Sequence, residues 1–269
     1  MNFFSSFQVV FIAIFAVLGA SLGSFFNVVA HRSVTGRPWW GKERSICESC
    51  GKELTFCELI PLVSWPLQRG RCRGCNARIS PRYFIVEVIG AAASGLLAWR
   101  WGPTWALLAS MAGLSGILIN SLTDYETGDV FDIFTLFLGL CGLVIRLFGG
   151  RDAVLDGLIG AAAGWGIFAL IIVVSRGGMG WGDACFMGGL GALLGWKLCL
   201  LSFYLGMMAG GLVAIGLMLA GKVKWGRRDS IPLVPCLSAG GLAALLWGPQ
   251  LLRFAGRYFG RLILPGWPF

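Results

Sequence analysis

Residues 154–175 read VLDGLIGAAAGWGIFALIIVVS, an apolar run with one charged side chain, Asp156. A helix needs about 20 residues to cross the hydrocarbon core of a bilayer, and this run is long enough. Similar runs recur along a chain that is 57% hydrophobic, with a mean hydropathy of +0.76. Because backbone groups in lipid must be bonded within their own segment, and the runs lack the alternation of barrel strands, they predict membrane helices. A soluble all-α protein with this composition would expose too much apolar surface.

The runs predict an all-α integral membrane protein with about eight transmembrane helices. They cover residues 8–30, 84–99, 103–122, 131–148, 154–175, 183–196, 198–221 and 234–252. Glycine- and alanine-rich stretches within them, at 90–95 and 160–164, favour close helix packing. The sequence therefore predicts three domains: a first transmembrane helix over 1–30, a small cysteine-rich domain over 31–83, and a multi-helix membrane domain over 84–269.

Basic residues predict the topology. Segment 31–83 carries ten Lys or Arg against four Glu, and loops rich in Lys and Arg remain in the cytoplasm. Helix parity then places loops 123–130, 176–182 and 222–233 on the same side. The tail is the exception, since its arginines, including Arg261, would lie outside; seven helices with a cytoplasmic tail would satisfy the rule better. The net charge of +9 sits in loops beside apolar runs, which argues for a lipid bilayer rather than nucleic acid as the partner.

Four cysteines form two tight pairs in that basic segment. The pairs are Cys47-Glu-Ser-Cys50 and Cys72-Arg-Gly-Cys75, with 21 residues between them. Each C-x2-C turn directs two thiolates at one ion, and two such turns supply a tetrahedral, closed, structural Zn²⁺ site. A segment of about 50 residues has too little core to fold securely, so metal binding would contribute to its folding. Four unligated thiols are the alternative, which the paired spacing disfavours.

Acidic side chains near membrane depth are costly and therefore indicate function. One set lies at Asp124, Glu126, Asp129 and Asp132, and Asp183 opens a later apolar run. Parity places both sets at the cytoplasmic ends of helices. Two close carboxylates share a proton, so that one can act as general base and the other as general acid. For each acid alone, a solvated loop or a helix N-cap is the alternative.

Two glycines precede the last of these acids. Gly180 and Gly182 allow the backbone to approach a substrate strand and a partner helix closely. The chain has one histidine, His31, which excludes an H-E-x-x-H metalloprotease and argues against a Ser–His pair.

Four motifs together resemble the bacterial type IV prepilin peptidases, or leader peptidases, of pilus and type II secretion systems. They are GASLGSFFNVV at 19–29, the cysteine segment and its continuation over 47–87, GWGD at 180–183, and IPLVP at 231–235. The GxGD motif alone is shared with presenilin-type proteases, which typically lack the cysteine pairs. The combination is specific, and the resemblance covers almost the whole chain.

The resemblance implies that Asp124 and Asp183 are the catalytic pair, because Asp124 precedes Asp132 with the spacing of the family's D-x6-P-D pattern. It implies an aspartic endopeptidase of the bacterial inner membrane that removes a basic leader from prepilins or pseudopilins after glycine, on the cytoplasmic side. Many members also methylate the new N-terminus with S-adenosylmethionine. Glu87 matches a family acid in a membrane helix, and we expect it either to serve cofactor binding or to pack against a polar partner.

Three residues depart from the family pattern. Phe131 replaces a proline, Cys185 replaces a lysine and Gly178 replaces a glutamate. These departures leave open an inactive assembly factor related to the peptidases. A transporter would also place acids in helices, but it would not explain the cysteine pairs.

Overall fold

The computed structural model describes residues 3–40, 44–176, 178–221 and 232–259. In chain order its α-helices are α1 (Phe3–Val34), α2 (Ser64–Leu67), α3 (Pro81–Trp101), α4 (Trp105–Thr127), α5 (Asp132–Leu147), α6 (Arg151–Val174), α7 (Trp181–Leu194), α8 (Trp196–Leu219) and α9 (Val234–Phe259), and a 3-10 turn spans Phe56–Glu58. Ile231, Arg261 and most of the predicted loop 222–233 lie outside the described residues.

All eight predicted membrane helices are confirmed as helices, and α2 is a short addition within the cysteine-rich segment. Among the described residues, α1 from Ser6 onward, α3, α4, α6 and α8 are long and apolar enough to cross a membrane. Helices α5 and α7, at 16 and 14 residues, are shorter. The chain is therefore an all-α, multi-pass membrane protein, as its composition predicts.

Several predicted helix bounds were wrong, including those of the first and last helices, which span Phe3–Val34 and Val234–Phe259. Two further corrections concern α3 and α4. The helix predicted over 84–99 spans Pro81–Trp101, because proline is tolerated in a first helical turn, where its missing N–H has no intrahelical partner. The helix predicted over 103–122 continues to Thr127 and ends only at Gly128, whose left-handed φ of 73° terminates it. The second correction matters for function, because it takes Asp124 out of a loop and into the last turn of α4.

Residues 1–100 form one compact unit, in which α1 packs closely against α3. A Cβ on Gly19 would collide with the carbonyl oxygen of Gly90, and a Cβ on Gly23 would lie 2.8 Å from that of Val86. Only glycine allows the two backbones to approach so closely. This packing accounts for the glycines of the 19–29 motif.

Residues 101–269 form the second compact unit, with the short helix α7 at its centre. Helix α7 packs against α4, α5, α6, α8 and α9, and its Phe186 and Met187 are fully buried. A Cβ on Gly142 of α5 would lie 2.6 Å from the backbone of Leu193, so glycine again permits the contact. Because α7 packs against five other helices, its first turn lies near the ends of helices that are distant in sequence.

Candidate active site and cysteine cluster

Asp124 is a buried carboxylate in the last turn of α4. The residue is 5% exposed, and its backbone carbonyl oxygen accepts a hydrogen bond from the N–H of Gly128 at 2.8 Å. Its Oδ2 accepts a second hydrogen bond, from the backbone N–H of Val234 at 3.0 Å. A solvated loop, the alternative considered for this acid, is therefore wrong for Asp124.

Asp183 is the third residue of α7 and is partly buried. The N-cap of this helix is Gly180, so Asp183 lies within the first turn rather than at the cap. Its carboxylate is close enough to Asp124 for the two charges to interact. The end of α4 and the start of α7 thus bring together the two acids that the family resemblance singles out.

The other acids of the first set lie in different surroundings. Asp129 is exposed in the connection between α4 and α5, and its N–H donates to Thr127 Oγ1 at 3.2 Å. Asp132 is exposed at the first position of α5, near the Cys185 thiol. Burial therefore distinguishes Asp124 from Asp129 and Asp132.

The two motif glycines have different surroundings. A Cβ on Gly182 would lie 2.8 Å from Cβ of Val130, so this glycine permits close contact between α7 and the α4–α5 connection. At Gly180 the nearest atom to an added Cβ is Oδ2 of Asp183, at 3.9 Å. Space beside Gly180 is thus open next to the acid, as a site that admits a substrate strand requires.

The backbone at Phe131 is compatible with the proline that the family pattern has there. Phe131 is the N-cap of α5, with φ −81° and ψ 123°. Proline adopts a φ near −65°, about 15° from this value, in the same extended region. The substitution therefore leaves the turn between α4 and α5 in a conformation that the usual residue would also take.

Sequence reasoning missed the groups that surround Asp124. Val234 donates its N–H to the carboxylate, and Ser121 and Ser238 join α4 to α9 with 2.6 Å between their hydroxyl oxygens. Asn120, fully buried one turn before Asp124, donates to the carbonyl oxygen of Gly116 at 2.8 Å. The sequence signal for Val234 is the IPLVP motif at 231–235, which contains it.

The four paired cysteines converge. All four Sγ atoms lie within 4.8 Å of one another, and those of Cys47 and Cys75 are 3.9 Å apart. A tetrahedral site with Zn–S distances near 2.3 Å needs sulfurs about 3.8 Å apart. The geometry and the donor set therefore fit one metal ion held by Cys47, Cys50, Cys72 and Cys75.

Each cysteine pair forms the same backbone turn. The N–H of Cys47 bonds the carbonyl of Lys52 at 2.9 Å, and the N–H of Cys72 bonds that of Ala77 at the same distance. Gly51 and Asn76 hold equivalent left-handed positions, with φ of 70° and 63°. Glycine and asparagine adopt this conformation most readily, so both turns have a residue that favours the required backbone.

Backbone donors also prepare one thiol for metal binding. The N–H groups of Cys75 and Gly74 lower the pKa of the Cys72 thiol to about 6. The N–H of Gly74 lies 3.3 Å from Cys72 Sγ. Hydrogen bonds of this kind favour the thiolate, which is the form that binds metal.

Glu87 has a polar partner within its own unit. It is buried on α3, and its Oε2 accepts the N–H of Leu62 at 2.9 Å. Leu62 has a left-handed φ of 64°, which is rare for a branched side chain and is stabilised here by this hydrogen bond. The same unit encloses a cavity of about 500 Å³, whose lining includes Trp65, Tyr83 and Glu87.

A buried acid, Glu58, anchors the first cysteine turn, although no sequence motif marks it. Glu58 accepts hydrogen bonds from the N–H of Thr55 at 2.9 Å and from Lys52 Nζ at 3.1 Å. The Thr55 N–H and the Lys52 ammonium lower the pKa of Glu58 to about 2. Because Lys52 follows Cys50 and Gly51, this pair joins the turn to the 3-10 segment beside it.

The chain is similar to known proteins over most of its length. Residues 17–101 match the family model described as bacterial peptidase A24 N-terminal domain, and residues 111–215 match the type IV leader peptidase family. A protein of Pseudomonas aeruginosa is 33% identical over 95% of this chain and 98% of its own length. A protein of Aeromonas hydrophila is 34% identical over 87% and 89%, and one of Bacillus subtilis is 29% identical over 90% and 97%.

All three relatives are named prepilin leader peptidase/N-methyltransferase. No solved structure matches the chain significantly. The identity to the Pseudomonas aeruginosa protein extends over nearly the full length of both partners. One family model covers most of the first compact unit, and the other covers residues 111–215 of the second. The chain therefore belongs to the type IV leader peptidase family.

Proposed function

We propose that this chain is a membrane-embedded aspartic endopeptidase that removes leader peptides from prepilins or pseudopilins, with Asp124 and Asp183 as its catalytic pair. The observation that carries the proposal is that two acids from separate helices lie close enough for their charges to interact. Asp124 is buried, and Asp183 lies within reach of its charge. The names of the relatives supply the substrate class. An inactive assembly factor is not favoured, since both acids and both glycines of the motif are retained.

The pair supports hydrolysis without a covalent intermediate. Two neighbouring carboxylates can share one proton, because two like charges so close together cannot both ionise cheaply. The ionised carboxylate takes a proton from a water molecule as the water oxygen attacks the scissile carbonyl carbon, and the protonated partner donates to the carbonyl oxygen. The C–N bond of the resulting tetrahedral intermediate then breaks, and the leaving amine takes up a proton.

The distribution of charge supports a cytoplasmic site. Segment 31–83 carries ten Lys or Arg, and helix parity puts the end of α4 and the start of α7 on the same side of the membrane as that segment. The apolar helix of a prepilin would then lie in the bilayer, with its basic leader in the cytoplasm. This placement brings the scissile bond to the depth of Asp124 and Asp183.

The peptidase proposal is tested by cleavage of a purified prepilin, with mass spectrometry of the product. Asp124→Asn and Asp183→Asn should each abolish leader removal, because neither variant can share the proton. Asp129→Asn, a change at an exposed acid of the same connection, is the matched control and should cleave. Leader removal by both dyad variants at the wild-type rate would refute the assignment.

For the cysteine cluster we propose structural Zn²⁺. Cys47, Cys50, Cys72 and Cys75 would hold it with four thiolates, which leaves no position for water and so gives the ion no catalytic part. Its contribution is to the folding of the segment around the two turns.

The relatives' names also imply a methyl donor, which we propose is S-adenosylmethionine bound in the cavity of the 1–100 unit. A cavity of about 500 Å³ is of a size that accepts a nucleoside ligand. Trp65 and Tyr83 offer aromatic surface, and Glu87 offers a carboxylate held in place by the Leu62 N–H.

Equilibrium binding of radiolabelled S-adenosylmethionine tests this site separately from peptidase activity. Glu87→Gln should weaken binding and leave leader removal intact. Glu53→Gln, at an exposed acid outside the cavity lining, is the control and should bind normally. Equal binding by Glu87→Gln and the wild type would remove Glu87 from the proposed site.

A further inference from the structure

Asp124 occupies an electrostatically unfavourable position in its own helix. It lies in the last turn of α4, where unpaired carbonyl groups and the negative end of the helix dipole disfavour a carboxylate. Its residue is only 5% exposed, so water offers little compensation. Another group must stabilise the ionised form if Asp124 is to exchange protons with Asp183.

The N–H of Val234 is the group that does so. It lies 3.0 Å from Oδ2 of Asp124, and Val234 is the first residue of α9. The first N–H groups of a helix have no intrahelical acceptor, so this donation breaks no backbone hydrogen bond. The positive end of the α9 dipole also faces the carboxylate.

The sequence around Val234 leaves this one donor available in the turn. Pro235 has no N–H, and the N–H groups of Cys236 and Leu237 both bond the carbonyl of Leu233 at 3.0 Å. Val234 is fully buried, which holds its backbone in place. The start of α9 thus directs a single backbone donor at the acid.

A second contact holds α4 and α9 in register. Ser121, three residues before Asp124, and Ser238, four residues after Val234, have their hydroxyl oxygens 2.6 Å apart. Three or four residues separate neighbours on one helix face, so this hydrogen bond and the Val234–Asp124 bond lie on the same pair of faces. Together they limit sliding of the two helix ends.

We propose that the backbone N–H of Val234 is a positioning group for peptide cleavage, which fixes the Asp124 carboxylate and offsets the unfavourable end of α4. This inference rests on the proposed function, in which Asp124 is catalytic. With Oδ2 engaged by the N–H, Oδ1 is the oxygen available to water or to the proton shared with Asp183. The part that the motif at 231–235 plays in the reaction is then the hydrogen bond from the Val234 backbone to Asp124.

Val234→Pro removes this donor without breaking an intrahelical hydrogen bond, although it also replaces the buried valine side chain. Proline suits the first position of a helix, where φ is near −65° and no N–H is needed, and the preceding residue is then extended, as an N-cap residue usually is. Val234→Ala keeps the N–H and loses side-chain packing, so it separates packing from hydrogen bonding. Replacement of Val234 by the corresponding α-hydroxy acid gives an ester that keeps the side chain and lacks the N–H.

The pH dependence of kcat/KM for prepilin cleavage is the measurement. An N–H donor favours the charged carboxylate, so its loss makes the pair harder to ionise and moves the whole profile to higher pH. We expect a fall of about ten- to hundredfold on the acidic side, which narrows as the pH rises, in both Val234→Pro and the ester variant. Val234→Ala should retain the wild-type pH profile.

A wild-type pH profile in the ester variant, with a thermal unfolding midpoint that shows it is folded, would overturn the proposal even if Val234→Pro does not fold. Unimpaired cleavage by Asp124→Asn would instead refute the proposed function. The two failures are therefore distinguishable.

Discussion

Arg146 and Asp156 form an ion pair that joins α5 to α6, with 2.8 Å between Nη1 and Oδ2. Arg146 also donates from Nε to the carbonyl of Leu193 on α7 at 3.0 Å, and from Nη1 to that of Ala153 at 2.9 Å. The one buried guanidinium of Arg146 therefore connects α5 to both α6 and α7 through hydrogen bonds. It lies at the ends of α5 and α7 opposite to the ends that carry Asp132 and Asp183.

Arg146→Met should destabilise the membrane domain by about 3 kcal/mol, because it leaves a partly buried carboxylate without its ion-pair partner and removes hydrogen bonds to two carbonyl groups. Arg146→Lys should lie between this variant and the wild type, since lysine keeps the charge but cannot reproduce the planar fork. Thermal unfolding in detergent measures both effects. An unfolding midpoint for Arg146→Met equal to that of the wild type would show that the pair contributes nothing to stability.

Gly182→Ala should lower stability by about 1 kcal/mol and reduce cleavage, because the new methyl group would lie 2.8 Å from Cβ of Val130 and push the first turn of α7 away. Gly180→Ala is the comparison, since its methyl group meets open space at a φ of −77° that alanine accepts. It should keep the unfolding midpoint of the wild type. A higher KM in Gly180→Ala would then indicate that substrate passes beside this residue, whereas equal midpoints for both variants would contradict the packing argument.

Metal content should be one ion per chain and should depend on the cluster alone. Cys50→Ser replaces a ligand and should lower bound zinc, measured by elemental analysis of the purified protein, and should make segment 44–80 sensitive to protease. Cys57→Ser, a change at an exposed cysteine outside the cluster, should retain the metal and the resistance. Equal zinc in both variants would exclude the four-cysteine site.

Glu58 should make the stability of the cysteine-rich segment depend on pH. Its pKa is lowered from 4.5 to about 2 in the folded protein, so the folded state favours the ionised form. This contribution is fully present above about pH 4.5 and is lost as the pH falls toward 2. Protease resistance of the segment should therefore be greater in the wild type than in Glu58→Gln at pH 6.

The difference between these two proteins, both measured without metal, should shrink as the pH falls below 4.5. A difference that stays constant down to pH 3 would show that the Glu58 carboxylate does not stabilise the segment through its charge.

The sequence by itself determined the helices, the cysteine pairs and the family. Apolar length and the C-x2-C spacing are local properties, and a membrane requires each helix to satisfy its own backbone, so no neighbour needs to be known. The candidate catalytic acids could be limited to a short set in the same way, because acidic residues beside apolar runs are visible in the sequence. Their spacing pointed to Asp124, but only through the resemblance to the family.

Only the tertiary structure decided the surroundings of that acid. Asp124 is buried because α4 continues to Thr127, and it is hydrogen-bonded because the start of α9, 110 residues further along the chain, lies against it. The bond between Glu87 and the Leu62 N–H likewise depends on how the chain returns to α3. Hydropathy and spacing describe one segment at a time, whereas burial and hydrogen bonding of a polar group depend on which other segments pack around it.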